Sequence, residues 1–137
     1  MNNPMLYTPY KPRYFRPEEL VPPESVKDWY RFCDYNMLIA LDKIRERFGS
    51  ITINNYLWGG KLKYSGYRPP YCTEGEATSQ HRYGRAFDLK FQTHVNLEDV
   101  IDYITTYIPA IRIIRKYDWG LHVDNRNTDK IIVWRDT

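Results

Sequence analysis

Between Pro23 and Phe48 the apolar residues Val26, Tyr30, Cys33, Met37, Leu41, Ile44 and Phe48 recur at spacings of 4, 3, 4, 4, 3 and 4. That period lays one apolar stripe along a helix, so the pattern predicts an amphipathic helix over 23–48, with Pro23 in its first turn and Gly49 as its cap. Further on the period changes to two. In 86–91 the apolar Phe87, Leu89 and Phe91 alternate with Ala86, Asp88 and Lys90, and in 121–124 Leu121 and Val123 alternate with His122 and Asp124. Each stretch predicts a strand with one face for a core and an opposite face carrying ionisable groups. The β-branched runs 111–115 and 131–134 predict two strands flanking that of His122, and 51–53 a short one. Asn96 followed by Glu98 and Asp99 predicts the start of a second helix that runs to about Tyr107, with Pro109 ending it.

Helices and strands in this order do not form repeating βαβ units, so the expected class is α+β, a small antiparallel sheet with flanking helices. A chain of 137 residues carries one core and is too short for two ordinary domains, which predicts a single domain over 1–137. Its first 22 residues hold Pro4, Pro9, Pro12, Pro17 and Pro22, which removes backbone donors and predicts an extended lead-in wrapped on the body. A short turn is expected at 17–20, and Tyr7, Tyr10, Tyr14 and Phe15 are the expected anchors. Residues 54–63, with Gly59 and Gly60, read as a loop or hairpin, and 71–78 as a polar loop whose position suggests a rim or lid over a site.

The net charge of +3 favours anionic partners only mildly, too weakly to indicate nucleic acid. The 13 tyrosines and 4 tryptophans serve a core or a groove for a flexible peptide or glycan. Cys33 and Cys72 lack metal-type spacing, and because Cys33 falls on the buried stripe both are expected as reduced thiols. The N-terminal residues contain no apolar run of secretory length, and no stretch is long enough to span a membrane. The expectation is a monomer made in the cytoplasm without a signal peptide and without membrane insertion.

Chemistry concentrates in Ser79-Gln80-His81-Arg82-Tyr83-Gly84-Arg85-Ala86-Phe87-Asp88 and in Trp119-Gly120-Leu121-His122-Val123-Asp124. A lone histidine or aspartate in a strand is more often a hydrogen-bonded surface residue than a ligand. Here two of the chain's three histidines and a carboxylate occur together, and His81, Asp88 and His122 suffice to hold a catalytic zinc whose fourth position stays open. The third, His94, reads as a loop residue without a role.

The first segment resembles the signature S-x-H-x-x-G-x-A-x-D of the peptidoglycan-cleaving zinc metallopeptidases, with Ser79, His81, Gly84, Ala86 and Asp88 at its fixed positions. That group comprises the D-alanyl-D-alanine carboxypeptidases, the D,D-dipeptidases of vancomycin resistance and the L-alanyl-D-glutamate endopeptidases of phage lysins. Ser65-Gly66-Tyr67-Arg68 is similar to the SGYR segment that precedes the metal motif in that family, and His122-Val123-Asp124 resembles the HVD strand of its phage and small bacterial branch.

The resemblance implies a hedgehog/D-Ala-D-Ala-peptidase-like fold and a Zn2+ ion on His81, Asp88 and His122. It further implies hydrolysis of peptidoglycan stem peptides, as an endopeptidase or D,D-carboxypeptidase of a phage or prophage lysin acting on the wall after release. Arg68 would stabilise the oxyanion or clamp a substrate carboxylate. The family's proton carrier is an acidic residue three positions before the last histidine, but in this chain that place is Trp119, and Asp118 lies four before His122. Asp118 is the expected base, and Asp124, on the same strand face as His122, is the rival whose other role is to orient the imidazole. Ser79 is expected to hydrogen-bond within the site, Gly84 to permit the turn between ligands, and Tyr67 and Tyr83 to pack. The alternative is a catalytically inactive, zinc-bearing binding domain of the same fold.

Overall fold

A computed structural model describes residues 10–76 and 78–135. It is an α+β structure with a five-stranded sheet in the order β1-β2-β4-β3-β5: β1 (Ile51–Thr52), β2 (Ala86–Phe91), β3 (Ile113–Tyr117), β4 (Gly120–Asp124) and β5 (Ile132–Trp134). The helices are α1 (Pro17–Leu20), α2 (Tyr35–Phe48) and α3 (Leu97–Tyr107).

The sheet is mixed, which corrects the expected antiparallel one. β2 and β3 both run antiparallel to β4, but β5 pairs parallel with β3. Both edges of β4 are taken, so the chain leaving it must pass to the free edge of β3, and it enters from the end that makes the two strands parallel. The strand expected at 111–115 begins at Ile113 instead, because Ile111 closes a turn by donating its N–H to Ile108 O at 3.2 Å.

The long helix expected over 23–48 is two elements. Pro23–Arg31 is a 3-10 segment with a non-helical Asp28, and α2 starts only at Tyr35. Two interactions of Asp34 cause the break. The Asp34 carboxylate accepts from Met37 N–H at 3.1 Å and caps α2, while Asp34 N–H donates to Gly84 O at 2.9 Å. The chain there lies so close to Gly84 that a Cβ on that glycine would sit 1.7 Å from Phe32 O. Tyr30, expected on the buried stripe, is exposed in consequence, whereas Met37, Leu41 and Ile44 are buried as expected. α3 has the expected start, with Asn96 accepting from Glu98 N–H at 2.8 Å.

Phe87, Leu89, Leu121, Val123 and Ile114 share one buried cluster with Leu38 and Ile44 of α2 and Val100, Ile101 and Ile104 of α3. Each such side chain contributes about 1.5–3 kcal/mol through burial, so the apolar sheet face and these helices hold each other in place. The lead-in is docked over its described part. Phe15, Leu20 and Val21 are buried, and buried Asp42 of α2 accepts from Tyr10 Oη at 2.5 Å, Arg13 N–H at 2.8 Å and Tyr14 N–H at 3.2 Å. The expected turn at 17–20 is α1, while Pro4, Pro9 and the anchor Tyr7 lie outside the described residues. Cys33 and Cys72 are free and buried, and burial, with Asp34 adding to it, pushes the Cys33 thiol up to about 12. Among the described residues no helix is long and apolar enough to cross a membrane.

Candidate metal centre

The sheet face opposite the core builds the site. Asp88 of β2 is paired with His122 of β4, and His122 in turn with Arg115 of β3 and Arg115 with Trp134 of β5, so one row across four strands carries all four side chains. His81 comes from outside the sheet, on the 3-10 turn Gln80–Tyr83 that leads into β2. Ser79 caps that turn, its Oγ accepting from His81 N–H at 3.3 Å, and Gly84 ends it at φ 66°, a left-handed conformation suited to glycine.

These elements bring His81, Asp88 and His122 together with one ligand atom from each lying within 4.8 Å of the others, a set that can hold a metal ion. Asp88 Oδ1 lies 3.2 Å from His81 Nε2 and 3.0 Å from His122 Nδ1. The remaining nitrogen of each imidazole is already engaged. His81 Nδ1 donates to the Gly66 carbonyl at 2.9 Å, and His122 Nε2 donates to Asp124 Oδ2 at 2.8 Å. The partners therefore select which nitrogen each ring presents to the centre.

Burial opposes ionisation of Asp88, but the hydrogen bonds and charges of His122 and His81 outweigh it and hold the carboxyl below its ordinary range. Burial likewise works against a charged His122, and the bonds to Asp124 and Asp88 override it, raising the imidazole. Asp124 is fully buried, and despite that burial its bonds with His122 and Arg126 hold its carboxyl down to about 2.

The segment 65–68 runs beside β2. Ser65 O accepts from Asp88 N–H at 2.7 Å, and Arg68 N–H donates to His81 O at 3.1 Å. The Arg68 guanidinium donates through Nε to Tyr64 O at 2.8 Å and lies 3.7 Å from Asp88 Oδ2. Tyr67 is buried and stacks on Phe32 at 4.6 Å, a packing role as expected, whereas Tyr83 is exposed.

A cavity of about 430 Å³ opens on the centre, lined by Arg68, His81, Asp88 and His122 and by several residues not foreseen. Arg115, Arg126 and Gln80 are three of these, and Glu76 of the loop 71–78 is a fourth. That loop is a wall of the cavity, as its position suggested. Arg82 organises it: its guanidinium donates to the carbonyls of Glu76, Cys72, Pro69, Pro70 and Glu74, at 2.6–3.4 Å.

Of the two expected proton carriers, neither lines the cavity. Asp118 is exposed at the β3–β4 turn, between Tyr117 and Trp119, which do line it. Asp124 is occupied by His122 and by Arg126, which donates through Nε at 3.0 Å and Nη2 at 2.7 Å. Arg126 had a signal in the sequence, since His122, Asp124 and Arg126 continue one alternation. Arg82 had none. His94 is exposed on the loop before α3, away from the centre and beside a separate cavity. Comparison of the chain with family models, with curated proteins and with solved structures gave no match.

Proposed function

We propose that the chain is a zinc metallopeptidase of the hedgehog/D-Ala-D-Ala-peptidase-like fold that hydrolyses peptide bonds in the stem peptides of bacterial peptidoglycan. It acts as an endopeptidase or D,D-carboxypeptidase of a phage or prophage lysin, as a monomer, on the wall after release. The observation that carries the reading is the triad itself, two imidazoles and a carboxylate preset by outer partners, facing a cavity that also holds Arg68.

Zinc suits the donor set. Tetrahedral bonds of ~2.0–2.2 Å put neighbouring ligand atoms roughly 3.3–3.5 Å apart. Asp88 Oδ1 stands 3.2 and 3.0 Å from the two histidine nitrogens, and all three ligand atoms lie within 4.8 Å of one another, so the two imidazoles would draw together around an ion. When bound, the ion polarises the scissile carbonyl and makes a water acidic enough to attack at neutral pH.

The chain's own residues supply the rest. Gly66 O and Asp124 fix the two rings, and Arg68, held by Tyr64 O, presents a guanidinium to the oxygen on which negative charge develops. A carboxylate must move the proton from the water to the leaving amine. Asp118 keeps the role that the resemblance implies, from the tip of the β3–β4 turn. Glu76 is the alternative, favoured by lining the cavity where Asp118 does not. That Asp118 does not line the cavity also supports the second reading, an inactive zinc-bearing binding domain.

Elemental analysis for one zinc per chain, followed by assay of the metal-loaded protein on purified peptidoglycan for new amino groups, tests the proposal. Stoichiometric zinc with amino-group release lost in His81→Ala is expected. Zinc without release would establish the binding domain, and no zinc would remove both readings.

A further inference from the structure

Three arginines reach the cavity, and two of them are already engaged. Arg126 is held by Asp124, and Arg68 by Tyr64 O and Asp88. Arg115 differs. Among the described residues no carboxylate pairs with it, its Nε is buried without a hydrogen-bond partner, and its guanidinium lies over the Trp134 ring at 4.5 Å. It stands directly across from His122, so its Cβ is one strand spacing, roughly 5 Å, from that of the ligand. On the same cavity wall Gln80 Oε1 is also buried without a partner.

A buried donor without an acceptor is costly, and groups left so at a cavity are ones a ligand can complete. From these residues we infer that Arg115 recognises a carboxylate that the substrate carries beside the scissile bond, with Gln80 accepting an N–H of the same substrate residue. This rests on the peptidase reading above and adds the substrate's chemistry to it. Contact with the Trp134 ring at 4.5 Å restrains the guanidinium, and its N–H groups can make a two-bond clasp of a carboxylate. The pairing asks for an –NH–CHR–COO⁻ unit, as a peptide terminus or as an acidic residue linked through its side chain. The charge of the cavity wall fits an anionic group as well: it carries Arg68, Arg115 and Arg126 against Asp88 and Glu76.

The test titrates N-acetyl-D-alanine and its carboxamide into the zinc-loaded protein, following the indole N–H resonance of Trp134 by NMR. The pair differs only in the carboxylate and contains no substrate peptide bond, so binding is read apart from turnover. The carboxylate is expected to bind roughly 10–100-fold tighter than the amide. Arg115→Gln should lose most of that preference while retaining its zinc. Arg115→Lys, which keeps the charge and the stem but not the planar fork, should keep only part of it, and carries the test if the glutamine variant does not fold. A wild type that does not discriminate, or a preference as large in both variants as in wild type, overturns the inference. Peptidoglycan hydrolysis without discrimination would sink this inference and leave the peptidase reading standing; discrimination without hydrolysis would remove the peptidase reading and leave Arg115 as a carboxylate-binding residue of the zinc-bearing binding domain.

Discussion

His122 Nε2 donates to Asp124 Oδ2 at 2.8 Å, and Asp124 is in turn clasped by Arg126 through both carboxylate oxygens. The bond turns Nδ1 of His122 toward Asp88, where it meets the other two ligand atoms. Asp124 thus serves as a positioning residue. Asp124→Asn keeps the shape but offers Nε2 an amide that can donate as well as accept, so the ring loses its fixed orientation. Zinc affinity should fall roughly 10–100-fold, the usual range for an outer partner of a metal ligand. His122→Ala should instead abolish chelator-resistant zinc. Competition with a colorimetric chelator separates the two, and an Asp124→Asn protein with wild-type affinity would remove the orienting role.

Under the peptidase reading the proton carrier would be one of two exposed carboxylates on different elements. Glu76 lines the cavity, and Asp118 stands at the turn beside it. Whichever serves, its amide variant should stay metallated and lose roughly 10²–10⁴-fold in rate, the range for removing general acid–base catalysis. Glu76→Gln and Asp118→Asn measured side by side on peptidoglycan give the assignment directly. Equal and full activity in both would exclude the pair.

Removing Arg82 should loosen the loop it organises. Its five carbonyl partners tie residues 69–76 to the turn that carries His81. Arg82→Gln cannot span them, so the loop should open locally at a cost reduced by about 1–3 kcal/mol. Amide exchange at Cys72 N–H, which donates to Pro69 O, and at Ser79 N–H, which donates to Glu76 O, should quicken roughly 10-fold or more. Exchange in β2 and β4 should not change. Unaltered protection at Cys72 and Ser79 would mean the loop holds itself without Arg82.

Periodicity made the two site strands legible because a half-buried strand obeys one local rule, and it put Asp88 and His122 on their polar faces. It misled at 23–48, where the stripe from Val26 through Tyr30 to Cys33 keeps helical spacing although the helix stops. The break there depends on Gly84, about fifty residues further on, whose missing side chain lets Phe32–Asp34 approach. That contact is non-local, so no window of sequence contains it, although the Asp34 cap beside it is local. Strand order hides Arg115 in the same way. Nothing in Ile113-Ile114-Arg115 marks which side chain faces His122 until β3 is paired with β4. Asp42 is a third instance, a carboxylate inside the apolar face of α2 that reads as a flaw until the lead-in supplies three donors.

That last contact has a pH signature. The hydrogen bond to Asp42, with burial adding to it, pushes the Tyr10 phenol from an ordinary 10.0 up to about 12. A raised value means the folded chain prefers the protonated phenol, so the stabilisation is complete below the unfolded value and disappears as pH climbs from 10.0 through about 12. Tyr10→Phe should therefore be less stable than wild type by a constant margin from neutral pH to about 9, with the margin shrinking above that. The difference in tyrosinate absorbance between wild type and Tyr10→Phe should show one phenol titrating late, and Asp42→Ala should return it to the ordinary range. Asp42→Ala should also destabilise the protein by about 2–4 kcal/mol, because it orphans the Arg13 and Tyr14 amides along with the phenol. Should Tyr10 ionise at its ordinary value while Asp42 is intact, the lead-in is not held to α2 through this pair.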